Sequence, residues 1–282
     1  MDVAKLKEWV GRTNEGQDEI TAYPVVALGA TLDYEDAVPR RGDAIPPLWH
    51  WLYFLPTHRQ SEVGADGHPS RGGFLPPVPL PRRMWAGSRL QFHAPLRVGE
   101  LVSKVSTVLD VSAKTGRTGT LAFVKVEHKY HGPSGLAISE EQDIVYREAA
   151  GPGAPSPEPM PAPSDEEWVQ EVVTDPVLLF RFSALTFNGH RIHFDKPYAT
   201  AEEHYPNLVV HGPLQAMLLL ELVRKHLPDA TVRSFSFRGV RPTFTPQKIY
   251  VCGKRKPDGK AVDLWIRHED GALAMSATAE LN

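Results

Sequence analysis

Cysteine is almost missing from this chain, because Cys252 is the only one among 282 residues. An internal disulfide is therefore excluded, as is a metal site built from several cysteines, and the composition fits a reducing compartment. The sequence also lacks an uncharged apolar run of about 18 residues, the length that a bilayer-spanning helix needs. Charged residues occur throughout the segment 2–10, which leaves no apolar signal-peptide core. We therefore expect a cytoplasmic protein without a membrane partner.

A strong excess of one charge sign is absent as well. The formal net charge is -3, so the composition gives no electrostatic argument for binding nucleic acid. Hydrophobic residues make up 41% of the chain and charged residues 23%, both ordinary for a globular protein. A chain of 282 residues can bury a large core, in one large domain or in two of ordinary size.

The first 80 residues alternate between helical patterns and irregular stretches. A short amphipathic helix is predicted over 2–10 and another over 22–33, with a polar, turn-rich segment at 11–18 between them. The aromatic segment 46–55 indicates a buried strand or the wall of a cleft. Residues 58–80 are rich in Gly and Pro and predict a long ordered loop, a kind of loop that is often functional.

Strand-like patterns dominate the rest of the chain. They run from 83 to 147, and again from 232 to 281 after a predicted helix over 213–226. The intervening Pro-rich stretch has no apolar period, which is typical of a linker. The predicted organisation is a repeat at 1–148, a linker at 149–164 and a second repeat at 165–282.

The two halves also share a pattern of residues. Segment 88–102 aligns with 235–249, and segment 131–137 resembles 268–274. An internal duplication is the simplest explanation. Each half is then expected to be a helix followed by a curling antiparallel sheet that wraps it, which is an α+β arrangement.

A cluster of polar residues interrupts the second half among apolar neighbours. It contains Asn188, His190, Arg191, His193 and Asp195. Buried polar groups cost free energy unless they are hydrogen-bonded, so such a cluster needs a reason. A hydrogen-bonded structural turn is one explanation and a catalytic site is another. We predict no metal here, because cysteine is absent nearby and zinc ligands must converge with a defined geometry.

A second polar signal lies at His211-Gly212-Pro213, directly before an apolar run. Proline suits the first position of a helix, where its missing N–H costs nothing. The N–H groups around Gly212 would then point out of a helix N-terminus, where an oxygen that becomes negative is stabilised. Read alone, the Gly-Pro step is also an ordinary helix start.

Together these motifs resemble the MaoC-like hydratases, and within them the hydroxyacyl-thioester dehydratase type 2 family. The hydratase motif has an Asp five residues before a His, and a His-Gly that opens the central helix. Asn188 stands at the Asp position, His193 at the His position, and His211-Gly212 at the helix opening. The resemblance implies a double hotdog fold, a homodimer, and a first repeat that shapes the acyl pocket without taking part in catalysis.

The family resemblance also implies a reaction. It is the addition of water to a short unsaturated acyl-CoA, with a dicarboxylic one such as itaconyl-CoA or 3-methylfumaryl-CoA (mesaconyl-CoA) as the expected substrate. Coenzyme A is then part of the substrate and no separate cofactor is needed. Asn188 departs from the motif, because an amide orients water but does not accept its proton. His193 is therefore expected to be the general base, with Asp195 or His190 fixing its tautomer, and Gly212 the oxyanion donor.

A dicarboxylic substrate would also need a cation for its free carboxylate, and arginine is suited to bidentate pairing. The predicted substrate-binding residues are His190, Arg191, His211, Arg238 and Arg241. Further arginines border the Pro-rich loop, namely Arg82, Arg83 and Arg89. The sequence leaves open which arginine binds the carboxylate.

Two other functions fit the same residues. One is a 3-hydroxyacyl-thioester dehydratase of fatty-acid synthesis, which runs the same chemistry in the opposite direction on acyl carrier protein or CoA. The other is a non-catalytic hotdog protein that binds acyl-CoA, which the missing Asp at position 188 favours.

Overall fold

A computed structural model describes residues 1–35, 38–116, 119–149 and 158–282. Its main feature is one continuous sheet of ten antiparallel strands. The strands are β1 Thr13–Glu19, β2 Arg82–Phe92, β3 Leu101–Gly116, β4 Gly119–Gly132, β5 Gly135–Arg147, β6 Trp168–Thr174, β7 Val232–Gly239, β8 Gln247–Arg255, β9 Ala261–His268 and β10 Leu273–Leu281.

Helices are few and mostly short. The α-helices are α1 Val3–Leu6, α2 Ala22–Thr31, α3 Pro176–Leu185, α4 Lys196–Ala201 and α5 Gly212–His226. Short 3-10 turns lie at Lys7–Trp9, Trp49–Leu52, Gln60–Glu62 and Arg191–His193. Within the described ranges, no helix is long and apolar enough to cross a membrane.

The strand order shows the predicted duplication directly. It reads β1-β3-β4-β5-β2-β7-β10-β9-β8-β6, so each half has the same order from its outer edge to the centre. The halves join where β2 pairs with β7, with Arg89 opposite Ser236. Ser88 there faces Phe237, and Leu90 faces Phe235. This reciprocal pairing is what a pseudo-two-fold axis through the joint requires.

The duplication extends to the segment that leads into each repeat's inner face. Ala44 forms an isolated bridge with Arg97, and Val209 forms one with Phe244. Along the chain, Arg97 and Phe244 are separated by the same number of residues as the aligned segments 88–102 and 235–249. Counting forward from these bridges, the 3-10 turn Trp49–Leu52 of the first repeat stands where α5 begins in the second.

Among the described residues, the central helix α5 therefore has no counterpart in the first repeat, where the expected wrapped helix is replaced by the turn Trp49–Leu52. Its residues from Leu214 to Val223 are all buried, and it lies against β8, β9 and β10. A helix that is buried on every side belongs to the core, and the apolar run of this helix matches that position. In the first repeat the chain leaves the inner face after Leu52 and enters the loop 58–80.

Two strands were missed, and one of the two alternatives for segment 46–55 was wrong. The segment 11–18 largely forms β1, and β6 was not predicted at all. Both are edge strands. Strand β1 is exposed along most of its length, and the apolar residues of β6 occur as adjacent pairs, so neither sequence has the alternating apolar pattern that identifies a half-buried strand. The aromatic segment 46–55 is buried as predicted, but it forms a 3-10 turn instead of a strand.

Half of the predicted linker at 149–164 consists of residues 150–157, which lie outside the described ranges. The strands before and after it, β5 and β6, end and begin at Arg147 and Trp168. Within the linker, Pro161 forms a bridge with Ala272 of the second repeat.

Candidate active site

The polar motif lies on a turn that follows α3, not on a turn between a strand and a helix. The backbone N–H of Asn188 donates to the carbonyl of Ser183 over 2.8 Å, which closes the end of α3. Phe187 has a φ of 49°, in the left-handed region that non-glycine residues rarely adopt. The side-chain Oδ1 of Asn188 then accepts the N–H of His190 at 3.0 Å. These bonds aim the residues after 188 toward α5.

His193 is held in a defined tautomer by the backbone. Its Nδ1 lies 2.7 Å from the carbonyl oxygen of Val209, an acceptor, so Nδ1 carries the proton and Nε2 keeps its lone pair. Within the described residues Nε2 has no hydrogen-bond partner, and it is not among the buried polar atoms sealed from solvent. The predicted role of Asp195 or His190 in fixing the tautomer is therefore wrong, because Asp195 instead binds Arg191 over 2.8 Å.

Four imidazoles form a row through this region, and we call His68, His190, His193 and His211 the imidazole row. Successive ring centroids are 3.9, 5.5 and 3.7 Å apart. Burial lowers the pKa of every member, that of His193 to about 4. The row is therefore uncharged at neutral pH and offers bases rather than cations. Across the described ranges, no group of three or more His, Cys, Asp or Glu could hold a metal ion.

The start of α5 lies beside this row. His211 is the N-cap residue, and its Nε2 is 2.8 Å from Ser183 Oγ while its ring stacks on His193. A Cβ placed on Gly212 would meet no atom within 4 Å, so open space lies in front of this glycine. None of the hydrogen bonds of the described residues uses the N–H of Gly212. That group is free to bind an oxygen in the open space.

A loop of the first repeat lies directly on the motif turn. The carbonyl of Asp66 accepts the N–H of Arg191 at 3.0 Å. Gly67 has a φ of +87°, and a Cβ placed on it would lie 1.7 Å from the carbonyl oxygen of Gly189. Only glycine permits so close an approach of two backbones. His68 follows at once, which places its ring against His190.

The same loop contributes a carboxylate–imidazole pair that sequence reasoning missed. Asp66 Oδ2 is 3.2 Å from His68 Nδ1, and Asp66 Oδ1 accepts the backbone N–H of His68 at 3.0 Å. Burial alone would raise the pKa of Asp66, but the bonds from His68 outweigh it and hold that pKa well below its usual range. The Asp-Gly-His order in a Gly-rich loop was the available signal, but nothing in the sequence links that loop to the second repeat.

This constellation joins a half-buried amide, a neutral imidazole with a free nitrogen, and a helix N-terminus facing open space. The sequence profile of the family described as hydroxyacyl-thioester dehydratase type 2 matches residues 48–245, which is more than half of the chain. The chain belongs to this family. It is also 49% identical over 284 aligned residues to mesaconyl-C(4)-CoA hydratase of Chloroflexus aurantiacus, covering 100% of this chain and 99% of the relative. The predicted hydro-lyase class agrees with these names.

Solved structures support the fold of this hydroxyacyl-thioester dehydratase type 2 member. A MaoC-like dehydratase from Phytophthora capsici superposes with a TM-score of 0.71 at 14% identity, covering 100% of this chain and 99% of that one. A Mycobacterium tuberculosis protein described as having a double hotdog fold superposes with a TM-score of 0.58 at 14% identity, covering 97% and 96%. The predicted α+β double hotdog is thus confirmed.

The predicted arginines of this family member are not all near the imidazole row. Arg191 lies beside it but is engaged by Asp195 and stacks on a tyrosine ring. Arg238 is exposed on the outer face of the sheet. Arg241 pairs with Asp270 over 2.7 Å, at the turn between β9 and β10. The structure therefore does not bring Arg238 and Arg241 to the motif.

Proposed function

We propose that this protein is a hydratase that adds water across the double bond of mesaconyl-C(4)-CoA, which is 3-methylfumaryl-CoA. The observation that carries the proposal is the 49% identity to the Chloroflexus aurantiacus mesaconyl-C(4)-CoA hydratase along essentially the whole of both chains. The relative's name favours this substrate over itaconyl-CoA.

The mechanism we propose uses His193 as the base. Its free Nε2 takes a proton from water while the water oxygen attacks the β-carbon, and the double-bond electrons move onto the thioester oxygen. The N–H of Gly212, at the positive end of α5, stabilises that enolate oxygen. The imidazolium of His193 then returns the proton to the α-carbon as the carbonyl re-forms, so one molecule of water is added and the base is regenerated.

Other residues of the site have supporting roles in this proposal. The Oδ1 of Asn188 is occupied by the N–H of His190, so its NH₂ group remains to orient the water. Asp66 brings an ionised carboxylate to the far end of the imidazole row, where it stabilises the positive charge that forms on protonation. His190 and His211 line the substrate's path on either side of His193. The second repeat is the catalytic one in this scheme, aided by a loop of the first.

The proposal also specifies the cofactor requirement, the location and the oligomeric state of the protein. The reaction needs no metal or redox cofactor, because the base and the oxyanion donor belong to the chain and coenzyme A arrives with the substrate. We propose a cytoplasmic homodimer, since hotdog proteins commonly associate through their sheets. Light scattering after size-exclusion chromatography tests the dimer, which a mass of 31.3 kDa would contradict.

A second candidate is a 3-hydroxyacyl-thioester dehydratase. The description of the family favours it, and it uses the same residues in the reverse direction. A straight monocarboxylic chain would be its substrate, so the free carboxylate distinguishes the two functions.

The deciding experiment follows the loss of enoyl-thioester absorbance with mesaconyl-C(4)-CoA, itaconyl-CoA and crotonyl-CoA. We expect the fastest reaction with mesaconyl-C(4)-CoA and a loss of about 1000-fold in kcat for His193→Gln, within the range of general acid–base effects. His93→Gln is the matched control, because His93 is exposed on the first repeat. Fastest turnover of crotonyl-CoA would favour the dehydratase, and binding without turnover would favour a non-catalytic acyl-CoA-binding protein.

A further inference from the structure

The question that the sequence left open is which arginine meets the free carboxylate of the substrate. Several candidates are already engaged by carboxylates of the protein. Arg82 is buried and pairs with Glu203 at 3.1 Å, and Arg89 pairs with Asp143 at 2.6 Å. With Arg191 held by Asp195, three of the arginines considered have their charge neutralised in place.

Arg83 is different in both position and surroundings. It is half-buried on β2, two residues before Trp85, so both side chains point to the same face of the sheet. Trp85 contacts Trp51 and Phe237 there, which identifies this face as the inner one. Within the described residues, no carboxylate lies within ion-pairing distance of Arg83, and none of its nitrogens is sealed from solvent without a partner.

A second guanidinium, that of Arg71, adds positive charge near Arg83. Arg83 is paired across the strands with Tyr146, and the guanidinium carbon of Arg71 lies 5.9 Å from the centre of the Tyr146 ring. Arg71 donates hydrogen bonds to the backbone carbonyls of Val78, Leu80 and Pro81. No described carboxylate therefore neutralises its charge. Arg83 has a side-chain hydrogen bond to Tyr146, and its other donors remain available to a ligand.

The imidazole row lies close to Arg83, because His68 is three residues before Arg71 on the same loop and Arg71 lies against Tyr146, the cross-strand partner of Arg83. Burial is the first cause that lowers the pKa of His68 and of His190, and the positive charge of Arg83 lowers both further. The nearest anion on the row, Asp66, is bound by His68 and does not pair with Arg83.

We propose that Arg83 is the carboxylate-binding residue of the active site, which takes the free carboxylate of a dicarboxylic acyl-CoA while Arg71 adds positive charge behind it. The proposal rests on the hydratase function and assigns its substrate class to one side chain. A fork-shaped guanidinium on the inner face binds a carboxylate in bidentate fashion. The acyl group would then lie between Arg83 and the base.

The test compares a substrate that carries the carboxylate with one in which a methyl group replaces it. The pair is mesaconyl-C(4)-CoA and 3-methylcrotonyl-CoA, with Arg83→Gln and Arg83→Lys as variants and Arg238→Gln as the matched surface control. For Arg83→Gln we expect kcat/KM to fall about 100-fold with the dicarboxylic substrate, the scale of losing one partner of a desolvated ion pair, and less than about threefold with the other. Arg83→Lys keeps the charge without the fork, and we expect a loss of about tenfold.

The outcomes separate this inference from the proposed function. Equal loss on both substrates, or no loss on either, overturns the assignment of Arg83 while His193-dependent hydration by the wild type stands. Failure of the wild type to hydrate either substrate overturns the function itself. If Arg83→Gln does not fold, as judged by its melting temperature, Arg83→Lys with the same substrate pair decides.

Discussion

The two repeats share one strand order but use their inner faces differently. In the second repeat the full helix α5 fills the sheet and presents its N-terminus to the polar motif. In the first repeat the equivalent segment stops after the turn Trp49–Leu52, and the chain crosses to the other repeat through the loop 58–80. The repeat without the central helix thus contributes a loop that lies on the polar motif of the other repeat.

The buried polar groups of the repeats differ in the same way. In the first repeat, the carboxylate of Glu140 lies near His50 at 3.4 Å and accepts hydrogen bonds from Trp51, Ser88 and Gln142 at 2.9 to 3.1 Å. Burial alone would raise the pKa of Glu140, but its partners outweigh that effect and bring it to about 2. In the second repeat, His193 keeps one nitrogen free. A buried carboxylate that several donors engage stabilises the fold, whereas an imidazole nitrogen that is open to solvent remains available for chemistry.

Glu140→Ala tests whether the network of the first repeat is structural. We expect the free energy of unfolding to fall by about 3–5 kcal/mol, because its buried partners lose their acceptor. Turnover per folded molecule should stay close to that of the wild type. Urea denaturation measures the loss, with Glu141→Ala as the control, since that surface pair with Arg89 contributes at most about 1 kcal/mol. Equal stability of the two variants would remove the distinction between the repeats.

Gly67→Ala tests whether the first repeat helps to build the site of the second. The added Cβ collides with the carbonyl of Gly189, so we expect the motif turn to shift and kcat to fall about 100-fold, the scale of a displacement of roughly 1 Å at a site. Gly72→Ala is the matched control. Gly72 has a φ of +91° in the same loop, but its Cβ would make only an ordinary 3.6 Å contact. Similar kinetics for both variants would mean that the loop only covers the motif.

Gly212→Ala separates substrate contact from folding at the start of α5. A Cβ on Gly212 meets no protein atom, so we expect an unchanged melting temperature. If the thioester lies against this glycine, the added methyl group displaces it and kcat/KM falls, by about tenfold for a misplacement smaller than that at Gly67. Thermal melts and steady-state kinetics on the same preparation provide the test, and unchanged kinetics would place the thioester elsewhere.

The pH dependence of the reaction sharpens the assignment of the base. Burial lowers the pKa of His193 to about 4, so the residue stays neutral and active down to that pH. We expect kcat/KM to be level from neutral pH downward and to fall only near pH 4, rather than near 6.5 where an ordinary histidine titrates. An acid limb near 6.5 would point to an exposed histidine as the base. Stability should decline earlier, from about pH 6.5 downward, because the unfolded chain then binds protons that the buried imidazoles do not.

Much of this site could be predicted from the sequence because its residues are close together in the chain. Asn188, His190 and His193 lie on one turn, and His211-Gly212 carries the signature of a helix start. Predictions that depended on distant partners were less successful. The carbonyl of Val209, and not Asp195, orients His193. Arg238 and Arg241 point away from the motif.

The sequence by itself determined the α+β class, the duplication, the inner strands and the family, because apolar periodicity and short motifs are local properties. Only the tertiary structure decided that Asp66 and His68 lie against the polar motif of the second repeat and that no described carboxylate pairs with Arg83. It also decided the edge strands β1 and β6, whose pairing with β3 and β8 is not predicted by an alternating apolar pattern. The reason is the same in each case: these positions are defined by contacts between segments far apart in the chain, and such contacts leave no period in the sequence.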